Sequence, residues 1–117
     1  MISPVKFFYF ARMDEVIFKK RPDGQWQFKI TDELDNELTI KIGETKSYWC
    51  IEIIFCEPEH PDPEIDQIPH NIFQTGIKSL EETVIVSKKR LTEIYHFEKA
   101  DIALQVSKVQ WKFPIEL

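Results

Sequence analysis

Three stretches in the first half of the chain decide the fold: Gln25-Trp-Gln-Phe-Lys-Ile-Thr31, Leu38-Thr-Ile-Lys-Ile-Gly43 and Tyr48-Trp-Cys-Ile-Glu-Ile-Ile-Phe-Cys56. In the first two, apolar side chains alternate with polar ones, a period of two that predicts half-buried β-strands. The third is apolar on both parities apart from Glu52, which indicates a central strand covered on both faces. The connections between these runs are short, as in hairpins, so the pattern predicts an antiparallel meander.

Residues upstream of these stretches extend the same pattern. Residues 5–12 form an aromatic-rich run with high β-propensity, and Val16–Lys20 follows as a further short strand. Arg21-Pro-Asp-Gly24 predicts a tight turn, because its proline fixes one φ angle and its glycine accepts a positive φ. Asp35-Asn36 predicts the next turn along the chain.

The C-terminal half is less regular. Apolar side chains near helical spacing predict a short helix over Asn71–Glu82, whereas Thr83–Ser87 has the composition of a strand. Residues 88–100 fit either a helix or a strand. Residues 102–113 predict a strand with a bulge near Ser107, where the parity of the apolar side chains changes.

Together these patterns predict a mainly β protein, with a β-rich α+β fold as the alternative. We expect an antiparallel meander that forms a small sandwich or open barrel of about 6–8 strands, with one or two short helices in the C-terminal half. The length of 117 residues favours one domain that spans 1–117. With 43% hydrophobic and 13% aromatic residues, the chain can bury a core.

The N-terminus and the cysteines favour a soluble, cytoplasmic protein. The initial apolar run ends at Arg12 and Asp14 with no small-residue cleavage site after it, so we expect no signal peptide. No uncharged run approaches the ~20 residues that span a bilayer. Cys50 and Cys56 lie on one predicted strand, roughly 20 Å apart, too far to form a disulfide with each other. Free thiols are typical of a reducing compartment.

The net charge of −5 is concentrated in one segment. Residues 1–56 carry a formal charge of −1 and residues 71–117 carry +1, whereas residues 57–70 contain five acids and no base. Three prolines between positions 58 and 63 exclude a helix interior and a central strand, so we expect an exposed, extended loop. No long basic patch is evident in the sequence, and binding to nucleic acid is therefore not expected.

The main hypothesis is a non-enzymatic interaction module of the inhibitor, immunity, adaptor or phage-accessory type. Local charge of this kind selects a partner and accelerates association more than it adds affinity. We expect the acidic loop, together with exposed aromatic side chains, to bind a protein partner, in particular a basic one, and we expect no membrane contact. A strand left at a sheet edge also leaves a homodimer open. The predicted partner-binding residues are Glu57, Glu59, Asp62, Glu64 and Asp66.

Several metal-ligating residue types occur in and beside the same segment. The residues that would hold an ion are Cys56, His60 and His70, with Glu57, Glu59 and Asp62 beside them. This set mixes soft and hard ligands, and a C-x3-H spacing alone is not diagnostic of zinc. The pattern therefore predicts no metal and no cofactor, but a buried thiol at a strand end followed by solvated carboxylates.

The alternative hypothesis is a small enzyme or a ligand-binding β-barrel. Its aromatic-lined pocket would contain His96 or His70, with Glu52 as a further polar group. No serine lies in a G-x-S-x-G context, and three scattered glycines cannot form a phosphate-binding loop, so no catalytic residue is assigned. Carboxylate pairs such as Asp32-Glu33 and Glu81-Glu82 are typical of turns and helix ends.

Two further groups of residues have both a functional and a structural interpretation. The triplet Lys88-Lys89-Arg90 could meet a phosphate or an acidic partner, but it is more typical of a solvated turn or helix start. Trp26, Trp49 and Trp111 could stack on a sugar or a base. A thin β-rich core also needs large side chains, and we expect the tryptophans to have that structural role.

Overall fold

The computed structural model describes residues 14–57 and 70–115, and this part of the chain is mainly β. It contains seven strands and two helices, and both helices lie in the C-terminal half, as predicted. The strands are β1 (Glu15–Ile17), β2 (Lys19–Lys20), β3 (Trp26–Thr31), β4 (Glu37–Glu44), β5 (Trp49–Cys56), β6 (His70–Ile77) and β7 (Gln110–Lys112), and the helices are α1 (Leu80–Glu98) and α2 (Asp101–Lys108). The predicted strand over residues 5–12 lies outside the described residues.

Five strands form an antiparallel sheet in the order β2-β3-β4-β5-β6. Each strand pairs with the next one along the chain, which confirms the predicted meander. A second sheet consists of β1 and β7, which pair in parallel. Neither sheet closes into a barrel within the part of the chain that the structure describes.

One continuous segment of chain belongs to both sheets. Only Phe18 separates β1 from β2, and its N–H donates to the carbonyl oxygen of Lys112 at 2.9 Å. Three residues later, the N–H of Arg21 donates to the carbonyl oxygen of Gln25 at 2.7 Å, which closes the hairpin to β3. Because successive N–H groups of a strand point to opposite edges, this segment lies between β7 and β3.

Both predicted turns are present. Gly24 has a φ of +88°, which the absence of a Cβ allows, and its N–H donates to the carbonyl oxygen of Arg21 at 2.9 Å. In the second turn, Asp35 has a φ of +62°, and its N–H donates to the carbonyl oxygen of Asp32 at 3.1 Å. Asp tolerates this left-handed conformation better than most residues, which explains its place in the turn.

One face of the five-stranded sheet, here the inner face, packs against the helices. Directly opposed residues of neighbouring strands share a face, so Phe28, Ile40, Ile53 and Ile72 form one row across four strands. Helix α1 contacts β5, β6 and α2. The residues of the two helices and of the link between them in the same hydrophobic cluster are Leu91, Ile94, Ala100, Ile102, Ala103 and Val106.

An aromatic cluster fills the core where the two sheets meet. Phe18 is fully buried and stacks on Phe113 with the ring centroids 4.6 Å apart. It also contacts Trp111 at 5.2 Å and Phe28 at 5.9 Å. Trp26 meets Phe113 edge-on at 5.4 Å. These contacts join β3 to the segment before it and to the end of the described chain.

The prediction of a helix over Asn71–Glu82 was wrong, because most of this stretch is β6. A bulge explains the misleading spacing: the register with β5 shifts between Trp49 and Ile51, and Gly76 there has a φ of +76°. The extra residue turns both Ile72 and Ile77 to the inner face. A strand interrupted in this way imitates the spacing of a helix.

The predicted strand over Thr83–Ser87 was also wrong, since these residues lie inside α1. Ser79 caps that helix, accepting the N–H of Glu82 at 3.1 Å, and Glu82 accepts the N–H of Lys78 at 3.4 Å. The helix therefore begins after Ser79, and β-branched residues in its first turns pack on the sheet. Residues 88–100, which fit either structure, continue the helix as far as Glu98.

The prediction of a bulged strand over residues 102–113 was wrong for its first part. Residues 101–108 form α2, so Ser107 is helical and the predicted bulge is absent. The change of apolar parity marks the passage from α2 to β7. Trp111 connects the two elements, because its indole N–H donates to the carbonyl oxygen of Val106 at 2.9 Å.

Neither α1 nor α2, the two helices of the described residues, has both the length and the apolar character needed to cross a membrane.

Two serines of the α1 region should shift the stability of the protein in opposite directions when each is replaced by alanine. Ser79→Ala removes the helix cap and should lower the free energy of unfolding by about 1 kcal/mol. Ser87 is fully buried, and its hydroxyl has no hydrogen-bond partner within the described residues. Ser87→Ala should therefore raise the free energy of unfolding by about 1 kcal/mol, because alanine favours the helix and removes a desolvated hydroxyl. Urea denaturation measures both changes in the free energy of unfolding. A loss of stability in Ser87→Ala would contradict the assignment of its buried hydroxyl as lacking a hydrogen-bond partner among the described residues.

Candidate functional site

The acidic segment connects two neighbouring, hydrogen-bonded strands. β5 ends at Cys56 and β6 begins at His70, and Phe55 lies directly opposite His70 in the antiparallel pair. Residues 57–69 are therefore the connection of a hairpin. Such connections usually take about 2–5 residues, and much longer ones in a compact domain are uncommon and belong either to functional loops or to linker segments. The pairing of β5 with β6 does not require so many residues, nor so many carboxylates.

The structure describes only part of the residues predicted for this segment. Glu57 is described, and its side chain is exposed. The other predicted partner-binding residues, together with one predicted metal ligand, lie outside the described residues: Glu59, Asp62, Glu64, Asp66 and His60. For His70 the backbone is placed in β6, and its side chain lies outside the description.

Cys56, the remaining metal candidate, lies half-buried at the end of β5. Within residues 14–57 and 70–115, no three His, Cys, Asp or Glu side chains are grouped so that they could hold a metal ion. Cys50 and Cys56 lie on one strand and are both free, which confirms that they do not form a disulfide with each other. The Cys50 thiol lies 3.6 Å from the carbonyl oxygen of Gly43.

The face of the sheet turned away from the helices, here the outer face, is polar and partly open. Lys29 forms an ion pair with Glu37 at 3.1 Å, and Lys41 lies 3.9 Å from Glu52. The outer side chains of β5 are half-exposed, so the prediction that both faces of this strand are covered holds for its inner face alone.

The polar residues predicted for an aromatic-lined pocket do not come together. Glu52 lies on the outer face in its contact with Lys41. His96 is exposed on α1, which packs on the inner face, and its ring centroid lies 5.5 Å from that of Tyr95. The sheet therefore separates Glu52 from His96. Neither residue lines either of two surface depressions, of about 490 and 200 Å³.

A basic depression of about 490 Å³ lies beside β2 and β3. Ile17, Lys19 and Arg21 occupy alternate positions of one segment and so share the outer face, and Lys29 contributes a third cation from β3. Arg21 donates to the side-chain oxygen of Gln27 at 2.6 Å.

Acidic neighbours offset part of this positive charge. The guanidinium of Arg21 lies 3.8 Å from Asp23, and Lys29 has its ion pair with Glu37. Lys19 has no ion-pair partner within the described part of the chain. The depression can therefore attract an anion only through a field that two carboxylates weaken.

The sequence reasoning missed this depression, although a signal for it was present. Lys19-Lys20-Arg21 is a run of three bases. The alternation of a strand divides the run, because Lys20 turns to the opposite side, where its ammonium lies 5.6 Å from the ring centroid of Trp26.

The basic triplet Lys88-Lys89-Arg90 lies in the middle of α1, not at a turn or a helix start as predicted. Successive residues of a helix point about 100° apart, so the three side chains diverge. Lys88 lies over the ring of Trp111 at 5.6 Å, and Arg90 pairs with Glu93 at 3.0 Å. The triplet is therefore not one basic patch.

The tryptophans are mainly core residues. Trp26 and Trp111 are buried, which confirms the structural role predicted for them, and Trp49 is half-buried against the core. The exposed aromatic residues of the described part of the chain are instead Tyr48, Phe73, with 66% of its surface accessible, and Phe97, with 81%.

A smaller depression, of about 200 Å³, lies between β6 and α1. Its lining residues are Ile72, Arg90, Glu93, Ile94 and Phe97. Its floor is thus apolar, and an ion pair lies beside it. The Nε of Arg90 is buried with no hydrogen-bond partner in the described residues.

No protein-family model matches the chain, and no match is found among curated proteins or among solved structures. Function is therefore inferred from the chemistry and placement of the residues of this chain.

Of the two predicted carboxylate pairs, Glu81-Glu82 lies in the first turn of α1 and Asp32-Glu33 lies in the turn after β3. Asp32 has a structural role there. One of its oxygens accepts the N–H groups of Leu34 and Asn36, both at 2.9 Å, and the other accepts the side-chain amide of Asn36 at 2.9 Å.

The two neighbouring carboxylates should therefore differ in their effect on stability. Asp32→Ala should lower the free energy of unfolding by about 2 kcal/mol, because three donors lose the acceptor that the buried Asp32 carboxylate provides. Glu33→Ala should change it by less than about 0.5 kcal/mol. Chemical denaturation of both variants measures the difference, and equal losses would show that Asp32 does not organise the turn.

Proposed function

We propose that this chain is a non-enzymatic interaction module that binds a basic protein partner through its acidic β5–β6 connection. The observation that supports the proposal most directly is the placement of five carboxylates, with no base among them, between two adjacent paired strands. The side chains proposed to contact the partner are those of Glu57, Glu59, Asp62, Glu64 and Asp66.

The local density of charge is the physical basis of the proposal. Five acids and no base within ten consecutive residues concentrate negative charge in one segment, and an exposed charge acts on an approaching partner within about the Debye length, ~8 Å at physiological ionic strength. Such a field steers a basic surface and can raise association rates by about 10- to 1,000-fold. The rest of the chain is nearly neutral, so the net negative field of the molecule comes from this connection.

Exposed apolar side chains lie at the same end of the sheet as the two ends of the connection. After Ile77 the chain turns back through α1, and both Ile72 near the start of β6 and Phe97 near the end of α1 line the small depression. The exposed Phe97 side chain therefore lies towards the end of the sheet from which the acidic connection departs. An apolar centre with a charged rim is the usual anatomy of a protein–protein interface.

A reducing, cytoplasmic setting fits this proposal. Cys50 and Cys56 are both free and half-buried, and thiols of this kind persist where disulfides do not form.

Two matched variants test whether the connection carries the interaction. The first replaces Glu57, Glu59, Asp62, Glu64 and Asp66 by their amides. The second replaces five acids elsewhere by their amides: Asp14, Glu33, Glu44, Glu81 and Asp101. Both variants have a formal net charge of zero, so they differ only in where the charge is lost.

Each variant and the unchanged chain are used for affinity capture from cells of the natural source, and the captured partner is then measured kinetically. The connection variant should lose the partner or associate with it at least about tenfold more slowly at low salt, with a flatter salt dependence. The control variant should behave like the unchanged chain. Equal association rates for the two variants would remove the proposal.

A further inference from the structure

Strand β6 ends the five-stranded sheet, and within the described residues no strand pairs with its outer edge. Its sequence, His70-Asn-Ile-Phe-Gln-Thr-Gly-Ile77, contains no Asp, Glu, Lys, Arg or Pro. Charged and proline residues are the usual means by which proteins prevent an edge strand from pairing with another chain. β6 also exposes Phe73 on the outer face, opposite Glu52 of β5. Within the described residues, this edge therefore has neither a charge nor a proline from position 70 to the bulge at Gly76.

The opposite boundary of the described sheets has these protections. β7 is only three residues long, and Lys112 in it pairs with Glu15 at 2.7 Å. Lys108 precedes the strand and Pro114 follows it. β6 is itself flanked by Pro69 and Lys78, so the contrast between the two edges lies within the strands: β7 carries Lys112, whereas β6 carries no charged residue.

We propose that β6 pairs with β6 of a second copy of this chain, antiparallel about a two-fold axis near Ile72 and Phe73. The bulge at Gly76 leaves residues 70–74 for regular pairing. The midpoint of this stretch is Ile72, which gives the position of the two-fold axis. A strand without charge can face itself with no like-charge repulsion. The two exposed Phe73 rings then lie close together on the outer face.

The depression between β6 and α1 supports the same arrangement independently. The buried Nε of Arg90 lacks an acceptor in the described residues, and Ile72 and Phe97 line the apolar surface beside it. A strand added at the β6 edge covers this depression. The side-chain amide of Gln74 from the second copy, which belongs to the inner face, can provide the missing acceptor.

The charge of the molecule selects the antiparallel orientation. In a parallel pair, the two acidic connections would start side by side. In the antiparallel pair, the two His70 positions lie at least about 14 Å apart, at 3.4 Å per residue. This separation exceeds the Debye length of about 8 Å, so physiological salt screens the repulsion between the connections.

The size of the interface sets the expected affinity. The paired edge is about 17–26 Å long, and the sheet with its helix layer is roughly 20 Å thick, which gives about 700–1,000 Å² buried in total. Specific stable complexes bury about 1,200–2,000 Å². We therefore expect a weak dimer that forms between micromolar and millimolar concentrations and persists at raised salt.

Sedimentation velocity of the full chain over this concentration range tests the proposal. Phe73→Lys and Phe73→Glu should each raise the dimer dissociation constant at least about tenfold, because like charges then meet near the axis. An equimolar mixture of the two variants should recover dimers, since opposite charges meet instead. Leu34→Lys changes a similarly exposed apolar residue in the β3–β4 turn, which β5 separates from β6, and it should dimerise like the unchanged chain.

A monomer at millimolar concentration, or dimerisation of Phe73→Lys as strong as that of the unchanged chain, would overturn the proposal. So would failure of the mixed variants to associate when circular dichroism shows that both are folded. Both Phe73 variants keep all five acids of the connection. Their binding to a captured basic partner therefore tests the proposed function separately from the dimer.

Discussion

The structure depends on the burial of the inner face of β5. Ile51, Ile53 and Phe55 are at most 3% exposed, held between the neighbouring strands and helix α1. β4 pairs with β5 along its whole length on one side, and β6 pairs with it on the other. Because the side chains of a strand alternate, a one-residue slip of β5 would turn these three residues to the outer face. The meander, the position of α1 and the two ends of the acidic connection all follow from this one register.

The surface features at the β6 side of the molecule result from the same arrangement. The acidic connection leaves from the end of β5, α1 returns along β6, and Phe97 therefore comes to lie beside Ile72. A charged segment, an apolar depression and an uncharged strand edge are thus placed within a small region. The proposed role of the acidic connection is to steer a basic partner, and the proposed role of the uncharged edge is to pair with a second copy. The two roles use different residues, so they can operate in the same molecule.

Particular residues explain where reasoning from sequence succeeded and where it did not. The alternation in Trp26–Thr31 was unambiguous, because a half-buried strand imposes a period of two on its side chains. The bulge at Gly76 interrupted that period in β6 and produced a spacing typical of a helix. Ser79 with Glu82 marked the start of α1, a local signal that the β-branched residues after it concealed. The basic run at Lys19 was overlooked, since adjacent residues of a strand point to opposite faces.

The sequence by itself determined β3, β4 and β5, the turns on either side of β3, the separation of the two cysteines and the position of the negative charge. These are local properties, since they depend on the conformational preferences and spacing of neighbouring residues. Only the tertiary structure decided that β6 is the last strand of the sheet formed by the described residues, that Glu52 and His96 lie on opposite sides of that sheet, and that Asp32 organises a turn. Each of these depends on which distant segments pack together, and the free energy of that packing overrides local preference.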